Sequence, residues 1–316
     1  MWLILAFLSA ASLGVYDALK KKALKGNAVI PVLLLNTLFS SLIFLPFVVL
    51  SATTDVLDGT LLHVASGGWA QHKYIVGKAL LVLSSWVLGY YGMKHLPLTI
   101  VGPINATRPV MVLVGAMLLF GEKLNAWQWA GVLLAVVSFF MLSRSGRKEG
   151  IDFRHDHWIY MIVGAAVLGA LSGLYDKYLM APPDEGGLGL DRMMVQSWFT
   201  IYQCGMMAIM LLVWWRNERR RESCLSNSAT HVPVAFHWDW AIIGISIFLS
   251  LADFLYFYAL SLPTAMISIV SMVRRGSVVV SFLCGALFFH EKNLKAKAAD
   301  LALVLLGLVL LYIGSR

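Results

Sequence analysis

The tetrapeptide GVYD at residues 14–17 recurs as GLYD at residues 173–176, and this repetition decides the fold. Each copy lies late in a long apolar segment, the first and the sixth along the chain. Three further pairs follow in the same order: LP at 96–97 and 262–263, FGEK at 120–123 and FHEK at 289–292, and SR at 143–144 and 315–316. Matches in one order at the same helix positions indicate an internal duplication.

The composition is that of an integral membrane protein. Of the 316 residues, 59 % are hydrophobic and 13 % are charged, and the mean hydropathy is +0.76. A soluble domain has about 45–50 % apolar and about 25 % charged residues. We therefore predict an all-α membrane protein with ten transmembrane helices at 2–22, 30–50, 75–93, 98–120, 127–143, 158–180, 195–215, 239–260, 264–289 and 297–314.

The duplication divides these helices into two groups of five. We predict a first five-helix repeat at residues 1–146, a cytoplasmic linker at 147–157 and a second five-helix repeat at 158–316. Because five is odd, two similar halves inserted in series cross the membrane in opposite senses. Such inverted repeats are characteristic of secondary transporters, in which a site between the halves opens to either side.

Positive charges are distributed by loop parity. The loops after predicted helices 1, 3, 5, 7 and 9 hold 16 lysines and arginines, whereas the opposite side holds five, namely Lys73, Lys78, Lys123, Arg192 and Arg316. By the positive-inside rule the first set is cytoplasmic and both termini lie outside, in a multi-pass protein of the cell (inner) membrane. The pI of about 9.4 thus reflects topology and does not indicate nucleic-acid binding.

Two segments resemble a known family. They are RPVMVLVGAMLLFGEKLNAWQWAGVLLAVVSFFML at 108–142 and its weaker echo RRGSVVVSFLCGALFFHEKNLKAKAADLALVLLGLVLL at 274–311, each a helix, a Glu-containing turn and a second helix. The chain resembles the drug/metabolite transporter superfamily in its ten-helix EamA-type branch. This resemblance implies a transporter fold but not a substrate, because members carry amino acids, drugs, sugars, nucleotide-sugars or organic phosphates.

Ionisable residues within the apolar segments are candidate functional groups, because each costs about 2.5–3.5 kcal/mol on membrane-insertion scales. They are Arg108, Arg274, Arg275, Lys177, Asp17, Asp176 and Asp253. Four cations face three carboxylates, so one cation lacks a fixed partner if all are ionised. A guanidinium at mid-depth can bind a carboxylate or phosphate through two hydrogen bonds, which favours an anionic group on a small-molecule substrate.

The same residues have a purely structural interpretation. Asp253 could pair with Arg274 or Arg275, and the carboxylates of the Tyr-Asp pairs could pair with Arg108 or Lys177, which would only hold helices together. Glu122 and Glu291 are also interpreted as structural, since each precedes a predicted helix whose dipole a carboxylate complements.

Polar and aromatic residues at helical spacing from these charges complete the predicted substrate site. They are Asn105, Trp86, Tyr90, Tyr256, Ser271, Tyr16 and Tyr175, with Trp198, Tyr202 and Gln203 as further candidates. For any single aromatic residue, packing or an interfacial belt is the alternative.

Competing functions have less support in the sequence. The same fold could export a neutral or cationic drug or sugar. Asp176 and Asp253 resemble the two aspartates of an intramembrane aspartyl protease, but Ser-Leu-Ala-Asp at 250–253 is not Gly-x-Gly-Asp and the Tyr-Asp pair is a repeat signature. A receptor or scaffold has no specific signal. We expect no catalytic residue, cofactor or metal, a lipid bilayer as environment, coupling to protons or to exchange, and a monomer or homodimer.

The predicted topology can be tested with single cysteines in a variant lacking the native ones. We expect Arg316→Cys to react with a membrane-impermeant maleimide in intact cells, because the C-terminus is predicted to lie outside. Arg221→Cys should react only after permeabilisation. Protection of position 316 in intact cells would overturn the orientation.

Overall fold

The described part of the chain is built from α-helices. The computed structural model describes residues 1–24, 27–95, 104, 107–144, 157–224, 236–277, 279–280 and 294–314, and these contain no β-strand. The helices are α1 (Trp2–Leu24), α2 (Val29–Thr53), α3 (Trp69–His95), α4 (Arg108–Phe120), α5 (Ala126–Arg144), α6 (His157–Met180), α7 (Arg192–Cys224), α8 (Ala241–Ser261), α9 (Ile267–Arg275) and α10 (Leu294–Gly314).

Each of these helices overlaps one of the spans predicted from the sequence. Five of them, α1, α2, α6, α7 and α8, are long and apolar enough to cross a membrane. The described α4 and α9 are only 13 and nine residues long, since much of predicted helices 4 and 9 lies outside the described residues. The helical membrane fold is thus established, and the count of ten crossings stays a prediction.

Large apolar side chains face outward along the helices. Leu8, Leu118, Tyr160, Ile209 and Ile247 are all exposed. A soluble monomer rarely exposes apolar surface on this scale, because water around it is unfavourable. In a membrane protein the same surface contacts lipid, which is as apolar as the side chains themselves.

The helices pair across the two halves of the chain. α1 packs against α8 and α3 packs against α6, while α2–α7, α4–α9 and α5–α10 are pairs of equivalent helices. Replacing each helix by the one five positions away converts α1–α8 into α3–α6 and leaves the other three pairings unchanged. The same holds for α4–α6 with α1–α9 and for α2–α8 with α3–α7. This exchange supports our proposal that the halves are structural repeats.

The glycine of the GVYD motif permits a close helix contact. A Cβ atom added to Gly14 would lie 2.5 Å from Cβ of Val280 and 2.7 Å from the carbonyl oxygen of Ser277, closer than real Cβ contacts. α1 can therefore approach the segment that follows α9 only because residue 14 has no side chain. The repeat-related Gly173 of α6 faces Val112 of α4 at 3.7 Å, an ordinary contact.

Glu122 caps α9 instead of the helix that follows it in the sequence. Its Oε1 accepts a hydrogen bond from the Ile267 N–H at 2.7 Å, and its Oε2 accepts from the Ser268 N–H at 3.2 Å and from the Ser268 hydroxyl. The N-cap residue Met266 supplies no side-chain bond of its own. The structural interpretation of Glu122 holds, but the helix end that it stabilises belongs to the other half of the chain.

A second carboxylate fixes the loop between α8 and α9. Glu185, in a 3₁₀ turn after α6, accepts hydrogen bonds from the Thr264 N–H at 3.2 Å and from Lys177 Nζ at 3.1 Å, and Lys177 also donates to the Ala265 carbonyl at 2.7 Å. Burial alone would raise the pKa of Glu185, but these hydrogen bonds hold it below its ordinary value. Thr264 has φ of 65°, in the left-handed region, so the loop turns sharply there.

Replacing Glu122 by alanine should destabilise the protein. The N–H groups of the fully buried Ile267 and Ser268 would lose their acceptor, at a cost of about 1–3 kcal/mol. Thermal unfolding in detergent measures the loss. Lys123→Ala is the matched control, because Lys123 is adjacent and exposed. Equal unfolding temperatures for the two variants would show that the cap contributes nothing.

Candidate functional site

A cavity of about 490 Å³ lies at the centre of the helix assembly. It is lined by residues of α1, α2, α3, α4, α6, α7, α8 and α9. Along α6 its lining residues run from Ile162 to Asp176, about 21 Å at 1.5 Å per residue. The equivalent helices α4 and α9 lie together on one part of the wall, and α2 and α7 lie together on another.

All three predicted arginines line this cavity. Arg274, near the end of α9, donates a hydrogen bond to Asp253 Oδ1 of α8 at 2.8 Å. Its guanidinium also lies over the ring of Tyr256, 4.1 Å from the centroid, a cation–π contact. Of the pairings considered from the sequence, the one between Asp253 and Arg274 is therefore present.

Arg108 has a different environment from Arg274. It donates to the Ala165 carbonyl of α6 at 3.0 Å, and its buried Nε has no hydrogen-bond partner in the described part of the chain. Among the described residues no carboxylate forms an ion pair with it, and Arg275 lies within electrostatic reach. Two guanidinium groups from equivalent helices thus face one cavity, where like charges disfavour each other unless an anion lies between them.

A glycine on α6 provides the space that Arg108 occupies. A Cβ atom at Gly169 would lie 2.3 Å from Cζ of Arg108, so any larger residue would displace the guanidinium. α4 itself begins at Arg108, and the next residue, Pro109, sits in the first turn, where the missing N–H removes no helical bond. The position of Arg108 is thus fixed by a helix start on one side and a glycine on the other.

Asp176 pairs with Lys78, which corrects two sequence interpretations. Lys78 Nζ contacts Asp176 Oδ1, and the Tyr256 hydroxyl donates to Asp176 Oδ2 at 3.2 Å. The loop-charge count places Lys78 on the outer side, and the structural interpretation of Asp176 pairs it with Arg108 or Lys177. Both expectations are wrong because α3 begins at Trp69, not near residue 75, which places Lys78 well inside a helix that packs on α6.

Lys78 is as deeply buried as an apolar core residue. It is 2 % exposed, and its ammonium lies 4.6 Å from the ring centroid of Phe199 and 4.9 Å from that of Phe257. Aromatic faces and a carboxylate together replace the water that an ammonium ion loses on burial. The pair closes one part of the cavity wall, between α3 and α6.

The structure brings most of the other predicted site residues to the cavity. Those that line it are Tyr16, Asp17, Trp86, Asp176, Asp253, Tyr256, Ser271 and Gln203. Tyr175 does not, since its hydroxyl donates to the Tyr74 carbonyl at 3.1 Å. Trp198 and Tyr202 instead form a cluster with His72. Asn105 and the side chain of Tyr90 lie outside the described residues.

Several lining residues were missed in the sequence. They are Lys20, Lys78, Asn36, Thr37, Ser40, Ser85, Ser172, Gln196, Thr200 and Ser250. Helical spacing was the available signal, because Asn36 and Ser40 are four residues apart on an otherwise apolar helix, as are Gln196 and Thr200. The uncharged residues of this set were overlooked because only ionisable groups in the apolar segments were taken as the starting points of the site.

The lining carries more positive than negative charge. Its cations are Lys20, Lys78, Arg108, Arg274 and Arg275, and its carboxylates are Asp17, Asp176 and Asp253. With all of them ionised, five positive charges face three negative ones. Among the described residues no group of three or more His, Cys, Asp or Glu side chains could hold a metal ion. The excess positive charge of the lining comes from lysine and arginine side chains.

Comparison with known proteins identifies the class of protein. Residues 1–144 match the model of the EamA-like transporter family. The match covers just under half of the chain and confirms, for that part, the resemblance of the sequence to the EamA-type membrane transporters of the drug/metabolite transporter superfamily.

The fold comparison extends over nearly the whole chain. One solved structure, described only as the crystal structure of a protein, aligns with a TM-score of 0.64 over 99 % of this chain and 95 % of the other, at 15 % sequence identity. At that identity the likeness concerns the fold alone. No curated protein matches the sequence.

Lys78→Met should destabilise the protein strongly. It leaves the Asp176 carboxylate buried without its ion-pair partner, and breaking a buried pair in this way costs about 3–5 kcal/mol. The double variant Lys78→Met with Asp176→Leu should recover much of the loss, because an apolar pair leaves no buried charge. Thermal unfolding of the three proteins measures both effects. A single variant as stable as the unmodified protein would contradict the ion pair.

Proposed function

We propose that the protein is a secondary transporter that moves a small polar metabolite with a carboxylate or phosphate group across the membrane. The observation that carries the anionic part is the position of Arg108, which faces the central cavity and has no ion-pair partner among the described residues. A guanidinium in such a site presents two parallel N–H donors to a carboxylate or phosphate.

Arg275 strengthens the argument for an anion. It comes from the helix equivalent to that of Arg108 and lies within electrostatic reach of it. Asp17, which is also within reach of Lys20, offsets part of the charge of Arg275, while Arg274 is already engaged by Asp253. An anion between Arg108 and Arg275 would turn a repulsion into two attractions. Attraction between unlike charges is strong here, because the surrounding protein and lipid have a low dielectric constant.

Alternating access is the mechanism that this arrangement supports. The cavity lies between helices of the two proposed repeats, and the main helix pairings exchange when the repeats are exchanged. A second conformation in which the repeats swap their roles would open the same site to the other side. We assign residues 1–146 and 158–316 to these repeats, with 147–157 as a cytoplasmic linker. The cell (inner) membrane, a monomer or homodimer, and coupling to protons or to exchange belong to the same proposal.

The alternative functions fit the cavity less well. A neutral or cationic substrate would leave the excess positive charge of the lining without compensation. An aspartyl protease needs two carboxylates that share a proton. Asp176 and Asp253 both line the cavity, but one is bound to Lys78 and the other to Arg274, so each carboxylate already has its own cation.

Arg108→Gln should leave a stable protein that binds and transports its anionic substrate poorly. Losing hydrogen bonds to a charged group costs about 1.5–3 kcal/mol, or roughly a 10- to 100-fold loss of affinity. Uptake into proteoliposomes and ligand-dependent thermal stabilisation measure the effect across anionic metabolites. Gly169→Ala should reproduce the defect, because it displaces the same guanidinium.

Arg274→Gln provides the contrasting variant. It deprives Asp253 of its partner, so we expect a lower unfolding temperature even without substrate. The loss should be smaller than for Lys78→Met, because these side chains are 18 and 25 % exposed and the pair is partly solvated. Normal uptake by Arg108→Gln, or a best substrate that is neutral or cationic, would refute the anionic assignment and leave only the transporter class.

A further inference from the structure

The cavity wall formed by α2 and α7 is polar but carries no charge. Asn36 and Ser40 lie four residues apart on α2, and Gln196, Thr200 and Gln203 follow one face of α7. These two helices pack against each other as an equivalent pair, as α4 and α9 do in presenting Arg108 and Arg275. The pair α4–α9 and the pair α2–α7 lie on different parts of the wall, with other helices between them. Among the described residues, α1 packs on both α9 and α2, α6 packs on α4, and α3 packs on α7.

Four polar side chains of this wall, and Ser250 of α8, are buried, and each has one atom without a hydrogen-bond partner among the described residues. Asn36, Ser40, Gln196, Gln203 and Ser250 are each 6 % exposed or less, and all of them line the cavity. The unpartnered atoms are Asn36 Oδ1, Ser40 Oγ, Gln196 Oε1, Gln203 Nε2 and Ser250 Oγ. Gln196 uses its other amide atom, Nε2, to donate to the Ser250 carbonyl at 2.9 Å, which fixes the free oxygen in place.

Such a concentration of unmet hydrogen-bonding groups points to a ligand. A buried polar atom without a partner is unfavourable, and native proteins contain few of them. Five that share one cavity offer both donors and acceptors at separate places along the wall. A hydroxyl group, which both donates and accepts, is the ligand group that can satisfy either kind.

We propose that the substrate is a small hydroxylated acid. Its carboxylate or phosphate binds Arg108 and Arg275, and its hydroxyl groups bind the amides and hydroxyls of α2, α7 and α8. The binding of an acidic group rests on the proposed function above. The binding of hydroxyl groups rests on the buried polar atoms of the α2–α7 wall and of Ser250, which have no hydrogen-bond partner among the described residues. An amino acid fits less well, because its ammonium group would compete with Lys78 and Arg274 for Asp176 and Asp253, and with Lys20 and Arg275 for Asp17.

Matched ligands can test the recognition of the acidic group and of the hydroxyl groups separately. Gluconate carries a carboxylate and hydroxyls, hexanoate carries the carboxylate alone, and sorbitol carries hydroxyls alone. Glucose 6-phosphate and hexyl phosphate provide the same comparison for a phosphate. Dissociation constants follow from ligand-dependent thermal stabilisation of the purified protein. We expect at least one hydroxylated acid to bind about tenfold or more tightly than both its alkyl counterpart and sorbitol, an advantage equal to one or two hydrogen bonds.

Variants of the wall assign the preference to specific residues. Gln203→Met and Asn36→Leu keep similar side-chain volumes but remove the amides, so each should reduce the preference for the hydroxylated acid over its alkyl counterpart several-fold. Affinity for the alkyl acid should be unchanged, which also shows that the variants are folded. Ser197→Ala is the control, because Ser197 is equally buried on α7, has an unpartnered hydroxyl and does not line the cavity.

The outcomes distinguish this inference from the proposed function. Equal binding of the hydroxylated and alkyl acids, or binding of neither hydroxylated acid, would overturn the inference. If sorbitol binds as tightly as the better of gluconate and glucose 6-phosphate, the anionic assignment is overturned and only the hydroxyl-binding wall is left. A preference unchanged in both amide variants would show that another part of the cavity recognises the hydroxyls.

Discussion

A charge within the hydrocarbon must be paired, or must face a polar cavity, and this requirement organises the centre of the molecule. Lys78 and Asp176 meet it by binding each other, and Arg274 and Asp253 meet it in the same way. Arg108 meets it only through a carbonyl and the cavity. The pairs hold α3 to α6 and α9 to α8, so the interactions that compensate these buried charges also close the cavity walls around Arg108, which we propose binds the substrate.

The pairing of equivalent helices explains why the cavity has two chemically different walls. α4 and α9 meet as one equivalent pair and present arginines, while α2 and α7 meet as another and present amides and hydroxyls. Each wall therefore contains a contribution from both halves of the chain. A ligand that spans the cavity contacts both proposed repeats at once, which is the arrangement that lets their relative movement depend on occupancy.

The sequence was informative about helices and about arginines for one physical reason. Long apolar segments are costly to expose to water, and charges within them are costly to expose to lipid. Both therefore constrain the structure without knowledge of its packing. Lys78 was misplaced because polar residues before it, such as His72 and Lys73, make the start of α3 look like a loop. Its pairing with Asp176 depends on a contact between distant helices, which no local pattern specifies.

Other parts of the site were beyond a reading of single residues. Asn36 and Gln196 are uncharged, so their burial costs less and gives a weaker signal in an apolar segment. A structural role for Glu122 could be predicted from the sequence. The helix that it caps, α9, could not, because α9 lies in the other half of the chain. Tyr175 shares the repeat motif with Tyr16, which lines the cavity, yet its hydroxyl donates to the Tyr74 carbonyl of α3, a contact between distant helices that the motif does not specify.

The contact between Gly169 and Arg108 also orders the substitutions that evolution can make at this site. A methyl group at residue 169 cannot coexist with the guanidinium in its present place. A lineage that enlarges residue 169 first therefore displaces the Arg108 guanidinium while Arg108 is still in use. One that first replaces Arg108 by a smaller residue is free to fill the space. Descendants that no longer use the guanidinium should thus carry a changed residue 108 with either glycine or alanine at 169, whereas an alanine at 169 beside a retained Arg108 should be rare.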